Sequence, residues 1–239
     1  LEEPRETESF RIREVAPSIL LLGNLGAVQL NYGYEIEQCR RAIRMIRADG
    51  LIFHLNVLQE AVQPEGNRNF KGLTEKIASV CRELEVPVLA KEVGSGISRD
   101  VALRLRAVGV KAIDVSGSGG TSWYAVESKR AARKGQAADL TFAGWGIPTE
   151  ESLVTVRDAV PDLELVASGG IRSGLDIAKS IALGATVAGI GQPLLAPALE
   201  SSNKVKEFLS TIVHELKVAM LCVGAPNLEA LRQAPMMRR

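Results

Sequence analysis

The chain has 239 residues, more than one typical domain of ~150 residues and fewer than two, and a single domain over residues 1–239 is the simpler fit. At 46% hydrophobic and 24% charged residues it has a globular composition, which excludes disorder, collagen and coiled coil. Lys+Arg 29 against Asp+Glu 28 gives a formal net charge of +1, so there is no electrostatic footprint for a nucleic-acid partner and any anion must be gripped locally.

The opening residues, LEEPRETESF, are acidic and polar, which is not the pattern of a signal peptide. They begin without methionine in what reads as a charged linker, so an upstream segment is expected. Short apolar runs then recur: residues 18–22 (SILLL), 51–54 (LIFH), 88–93 (VLAKEV), 110–115 (VKAIDV), 163–167 (LELVA) and 186–190 (TVAGI). They are apolar throughout rather than alternating, as buried parallel strands are. Between them lie amphipathic helices: Leu73, Ile77, Val80, Cys81 and Leu84 share one face, as do Val101, Leu105 and Val108. Residues 127–140 (ESKRAARKGQAADL) fill the widest gap between strands and read as a mobile loop or lid. Val205, Phe208, Leu209, Ile212, Val213 and Leu216 mark a long final helix. The longest apolar stretch, about seven residues, falls far short of the ~20 a membrane span needs, so no membrane partner is expected.

The β-α-β-α alternation predicts an α/β fold with a parallel sheet. Two architectures satisfy it, an open doubly wound sheet and a (β/α)8 barrel lacking two units. Glycine-rich turns decide between them. They follow the fifth and sixth strands, at 168–174 (SGGIRSG) and 189–193 (GIGQP), where a barrel builds its phosphate cup after strands 7 and 8. Counting back leaves the first two βα units missing from the front. No G-x-G-x-x-G opens a helix after the first strand, which disfavours a dinucleotide site.

Gly169 and Gly170 allow main-chain amides to approach an oxyanion, and a helix beginning at Ser173 points its N-terminus at the same spot. An ordinary tight turn explains either glycine pair equally well; two such turns together favour phosphate. The loop 117–121 adds a third close approach, with Ser116 and Thr121 offering hydroxyls. Lys91 lies inside an apolar strand, where an unpaired ammonium is costly. Pairing with Glu92 or Asp114 is the plain explanation, and a cation aimed at the catalytic face toward an anionic cofactor is the preferred one. His54, Asn56, Gln59 and Glu60 crowd one strand end ahead of a Pro64-Glu65-Gly66 turn. Separately, a core histidine and a solvated charge account for His54 and Glu60; together they suggest a site in which Glu60 holds Mg²⁺ with substrate phosphates. Cys39, Cys81 and Cys222 form no C-x-x-C pair and sit in helical patterns, so free thiols in a reducing, cytoplasmic setting are expected and a thiolate nucleophile is not. His214, within the last helix, is given no catalytic role.

In order along the chain, residues 10–17 (FRIREVAP), 23–30 (GNLGAVQL), 54–56 (HLN), 59–60 (QE), 64–66 (PEG), 90–94 (AKEVG), 116–117 (SG), 119–123 (GGTSW), 145–149 (WGIPT) and 168–172 (SGGIR) resemble the type II isopentenyl-diphosphate isomerase family. The resemblance covers nearly the whole chain. It implies a TIM barrel that holds FMN between Asn24, Lys91, Ser116, Thr121 and the two phosphate turns, which include Gly170, Ile171, Arg172, Gly191 and Gln192. It implies interconversion of isopentenyl and dimethylallyl diphosphate with reduced FMN and Mg²⁺, and NADPH as the flavin reductant. Gln59 would lie beside the reacting carbons, Glu60 would bind Mg²⁺, and His54 and Asn56 would help hold the diphosphate. A homo-tetramer or homo-octamer is also implied. The family's N-terminal Arg-Lys pair, Met-Thr-Gly-Gly and Gly-Ser-Gln-Arg segments do not occur here. Two other readings stand beside this one: another FMN barrel oxidoreductase, and a non-catalytic flavin-binding fragment.

Overall fold

A computed structural model describes residues 10, 12–133, 135 and 140–236. Six strands, β1 (Leu22–Gly26), β2 (Gly50–Leu55), β3 (Val88–Glu92), β4 (Ala112–Asp114), β5 (Glu164–Ala167) and β6 (Val187–Ala188), form one sheet in the order β1-β2-β3-β4-β5-β6. Every pair is parallel. A doubly wound sheet reverses its strand order at a switch point. A strictly sequential order means that every crossover runs the same way, which is the winding of a (β/α)8 barrel. Among the described residues β1 pairs only with β2 and β6 only with β5, so the six strands make an open arc.

The helices are α1 (Ile36–Ile46), α2 (Val57–Val62), α3 (Leu73–Glu83), α4 (Arg99–Ala107), α5 (Trp123–Arg133), α6 (Thr149–Ala159), α7 (Gly174–Ala182), α8 (Leu195–Glu200), α9 (Ser202–Cys222) and α10 (Leu228–Arg232). The register puts Leu51, Phe53, Ala90, Ile113, Val115, Leu165 and Ala167 on the outer side of the sheet. There they join Ile77, Val80, Leu105, Leu153, Val156 and Ile181 of the helices in the main core. Each large side chain buried there contributes about 1.5–3 kcal/mol. The inner side carries a smaller apolar cluster, Ile52, Leu89 and Ala112 with Leu22 against it. One step further toward the C-terminal strand ends the inner side turns polar, with His54, Lys91 and Asp114 in register.

Four expectations need correction. The first strand does not occupy residues 18–22: it starts at Leu22, opposite Gly50. Leu20 is 75% exposed, and the carbonyls of Pro17 and Ile19 accept from Arg13 rather than from a neighbouring strand. The fourth and sixth strands shorten to 112–114 and 187–188. Residues 127–133, expected as loop, belong to α5, where Ala, Arg, Lys and Glu are good helix formers and Glu127 pairs with Arg130 at 3.2 Å; residues 134 and 136–139 of that stretch lie outside the described ones. Helix α9 is long, as expected, but α10 follows it.

Candidate functional site

The C-terminal ends of β3 to β6 and the loops after them wall a cavity of about 460 Å³. Ser116, Thr121, Gly170, Ile171, Arg172, Gly191 and Gln192 all line it, together with Asp114 and Ser168. Seven of the nine expected cofactor residues therefore meet at one place. Asn24 and Lys91 are not on its wall.

The glycines have a packing reason. Gly169 and Gly170 have φ of 98° and 81°. A Cβ on Gly169 would lie 2.2 Å from the carbonyl oxygen of Gly117, and one on Gly170 2.6 Å from that of Gly119. The loops after β4 and β5 thus touch main chain to main chain. Thr149 Oγ1 donates to the Gly169 carbonyl at 2.6 Å, and the Arg172 guanidinium bridges the carbonyls of Gly170 (2.8 Å) and Gly119 (3.0 Å). Arg172 is therefore a clasp between two loops. Among the described residues no part of the chain accepts a hydrogen bond from the main-chain N–H groups of Gly169, Gly170, Ile171, Gly191 or Gln192.

The N-terminus of α7 is a different matter. Ser173 caps it as the sequence suggests, accepting from the Asp176 N–H at 3.1 Å. The Asp176 carboxylate accepts from the N–H groups of Arg172 and Ser173, both at 3.0 Å, and Glu215 of α9 accepts from the Gly174 N–H at 2.7 Å. Two carboxylates already satisfy this helix terminus. The N–H groups left without an acceptor belong to the turn just before the helix, and the helix terminus expected to be open to phosphate is already occupied by carboxylates.

Strand alternation sends Lys91 to the inner side and Glu92 to the outer. Lys91 Nζ donates to the Glu92 carbonyl at 2.6 Å. Burial pulls the Lys91 ammonium below its ordinary pKa, with Asp114 and then Glu92 opposing. The Glu92 carboxylate accepts from the N–H groups of Val93 (2.6 Å) and Ser95, holding the loop after β3. Asp114 Oδ1 accepts from Ser168 Oγ at 2.7 Å and from the Ser116 N–H at 3.1 Å. Burial raises its pKa, against the pull of Ser168, Lys91 and Ser116. Ser116 has φ of 37°, unusual for a residue with a Cβ.

Gln59 and Glu60, adjacent on α2, part ways. Gln59 lines a neighbouring cavity of about 90 Å³ that shares Val93, Gly94, Gly120 and Trp123 with the larger one. Glu60 is buried: Oε1 accepts from Asn56 Nδ2 at 2.8 Å and Oε2 from the Asn67 N–H at 2.6 Å. Asn56 Oδ1 is buried and, among the described residues, has no partner. A hard cation suits an orphaned amide oxygen beside a carboxylate, with further oxygens coming from substrate. No group of three or more His, Cys, Asp or Glu is placed to hold a metal among the described residues. Cys39 and Cys81 are thiols whose pKa burial raises, Cys39 to about 11, which argues against thiolate chemistry. His214 is exposed on α9.

Thr149, Ser168 and Glu215 carry weight that the sequence reading did not give them. Asp114 entered there only as a counter-ion. The signal for it was the same as for Lys91, a charge inside an apolar strand.

A family model described as FMN-dependent dehydrogenase matches residues 59–238. The isopentenyl-diphosphate delta-isomerase of a Nostoc strain is 47% identical over 240 residues, covering 100% of this chain and 69% of that protein. The protein of the same name from a Synechocystis strain is 50% identical, with the same 100% and 69% coverage. Among solved structures a mandelate oxidase superposes with TM-score 0.63 at 23% identity, over 89% of this chain and 62% of that one. A lactate oxidase described as putative, from Pediococcus acidilactici, gives 0.62 at 15%, over 90% and 60%. The chain thus spans about 69% of those curated relatives and about 62% of the solved mandelate oxidase.

Proposed function

The chain belongs to the FMN-dependent dehydrogenase family and, within it, to the isopentenyl-diphosphate delta-isomerases, and from that premise we propose that it interconverts isopentenyl and dimethylallyl diphosphate by allylic proton transfer. The proposed cofactors are reduced FMN and Mg²⁺, with NADPH as flavin reductant. The observation that carries the reading is the 460 Å³ cavity lined by two glycine turns whose N–H groups find no acceptor among the described residues. Such a cradle fits a phosphate dianion.

In this reading the turns at Gly170-Ile171 and Gly191-Gln192 grip the FMN phosphate, Ser116 and Thr121 offer hydroxyls along the wall, and Lys91 and Asn24 serve the flavin from the strands. Bound reduced FMN supplies the group that gives and takes the allylic proton. The Lys91 ammonium, desolvated in the sheet, favours an anionic flavin more strongly than it would in water. Gln59 positions the reacting carbons in the smaller cavity, where Trp123 and Trp145 help exclude water. Glu60, with the Asn56 amide oxygen, holds Mg²⁺ against the substrate diphosphate, which His54 also helps to bind.

The test supplies isopentenyl diphosphate, Mg²⁺, FMN and NADPH and looks for dimethylallyl diphosphate. Its formation, dependent on reduced flavin, supports the reading; flavin uptake without it leaves a binding fragment. Oxidation of a 2-hydroxy acid would favour the oxidase alternative suggested by the shared fold. That chemistry needs a His-Arg pair at late strand ends. The two histidines of this chain are His54 on β2 and the exposed His214 on α9. We further propose a cytoplasmic homo-oligomer. Free Cys39, Cys81 and Cys222 support the compartment. Leu199 and Leu221, 91% and 80% exposed on α8 and α9, support self-association, and an intact-mass measurement of the native assembly tests it.

A further inference from the structure

We propose that Asp114 is a positioning residue of the flavin site, which holds the Ser116 main chain and the Ser168 hydroxyl at the cavity wall and sets the net charge that Lys91 presents to the flavin. The proposal rests on the FMN reading above. Asp114 lies on the cavity wall although it is only 8% exposed. It sits beside Lys91 in the β3–β4 register, on the same inner side. Its Oδ1 collects two donors from two loops, Ser116 N–H at 3.1 Å and Ser168 Oγ at 2.7 Å. The first of these bonds fixes a residue at φ 37°, a backbone state that needs such support. The second joins the ends of β4 and β5, the two loops that carry the glycine contacts.

Hydrogen bonding alone does not call for a carboxylate. An asparagine oxygen would accept from the same two donors without the cost of burying a charge. Lys91 spends its short hydrogen bond on the Glu92 carbonyl rather than on Asp114. The Asp114 charge is therefore not consumed in a direct ion pair, and it acts on the cavity together with the lysine. A cation alone would bias the bound flavin strongly toward its reduced anion; the neighbouring carboxylate moderates that bias.

Asp114→Asn separates charge from shape. In the FMN-loaded protein the variant should keep its affinity for oxidised FMN within about threefold and its Tm within the parent's range, while binding of reduced FMN tightens about tenfold relative to oxidised. For a two-electron couple that ratio is a midpoint rise of about 30 mV. Lys91→Gln should move the midpoint the opposite way. Asp114→Ala, which also loses both hydrogen bonds, should weaken both redox forms and lower Tm. Ser116→Gly holds φ 37° without the bond; because it also removes a wall hydroxyl, the pair with Asp114→Asn is read against Ser116→Gly alone if the single variant folds poorly. Equal loss of both redox forms in Asp114→Asn, with an unmoved midpoint, overturns the proposal while the flavin reading stands. A parent chain that takes up no FMN would overturn the flavin reading itself, and this inference with it.

Discussion

Asn24 and His54 stand on neighbouring strands with His54 Nδ1 3.0 Å from Asn24 Oδ1. The amide oxygen accepts, so Nδ1 carries the proton and Nε2 keeps its lone pair. Burial, and then the Lys91 charge, push the His54 pKa below its ordinary value, with Glu60 opposing.

His54 should therefore gain its charge at a lower pH in the native protein than an exposed histidine does. A depressed native pKa makes its contribution to stability complete above the unfolded value of 6.5 and loses it as pH falls through the native one. NMR titration of the ring resonances checks this, with Lys91→Gln expected to raise the midpoint. A native His54 that titrates at or above 6.5 would contradict the desolvated setting.

The two glycine turns should respond differently to alanine. Gly170→Ala places a Cβ 2.6 Å from the Gly119 carbonyl oxygen at φ 81°, so it should lower stability by about 1–3 kcal/mol whatever is bound. Gly191 has open space around its Cβ position, though its φ and ψ of −119° and −87° lie outside the main regions for a residue with a Cβ. Gly191→Ala, which meets no clash, should lower the apo Tm less than Gly170→Ala does and weaken FMN binding several-fold. Thermal melts with and without FMN distinguish the two. A large apo destabilisation by Gly191→Ala would mean that this turn serves the fold.

The strands and the barrel winding were legible because parallel strands buried on both sides leave continuous apolar runs, and Phe53, Ala90 and Ile113 announce themselves that way. The inner polar layer was half legible. Lys91 stood out, whereas Asp114 was overshadowed by the lysine it neighbours. Contacts that depend on chain folding left no local trace: nothing in the sequence puts Glu215 of α9 at the start of α7, or Thr149 against Gly169. Local composition also misled at residues 127–133, where a polar stretch is the exposed face of a helix whose Tyr124 and Ser128 are buried.

A chain carrying two further βα units ahead of Leu1 should bind FMN more tightly than these 239 residues. Among the described residues the outer edges of β1 and β6 are unpaired, and Leu20 and Val187 beside them are 75% and 52% exposed. Closing the arc would pair those edges and stiffen the phosphate turns before the ligand arrives, lowering the ordering cost of binding. Fluorescence titration of FMN into both chains checks it. Equal affinity would show that six strands are enough.

Gln59 and Glu60 should fail in different ways when changed. Glu60→Gln puts an NH₂ group where a carboxylate oxygen accepted from either Asn56 Nδ2 or the Asn67 N–H, so one donor is left facing another in a buried place. A stability loss of about 1–3 kcal/mol is expected from that alone. The variant should also need more Mg²⁺ and show a raised KM for the diphosphate, because the cation loses its protein anion. Gln59→Leu disturbs no such pair and lies on the smaller cavity wall. It should leave Tm, metal dependence and KM nearly unchanged while lowering kcat, as expected for a group that acts on the transition state more than on the ground state. Steady-state kinetics at varied Mg²⁺, with melts of both variants, make the comparison. If Glu60→Gln loses only stability and keeps the parent's Mg²⁺ dependence, Glu60 is an anchor for residues 56–67 and the cation is held elsewhere.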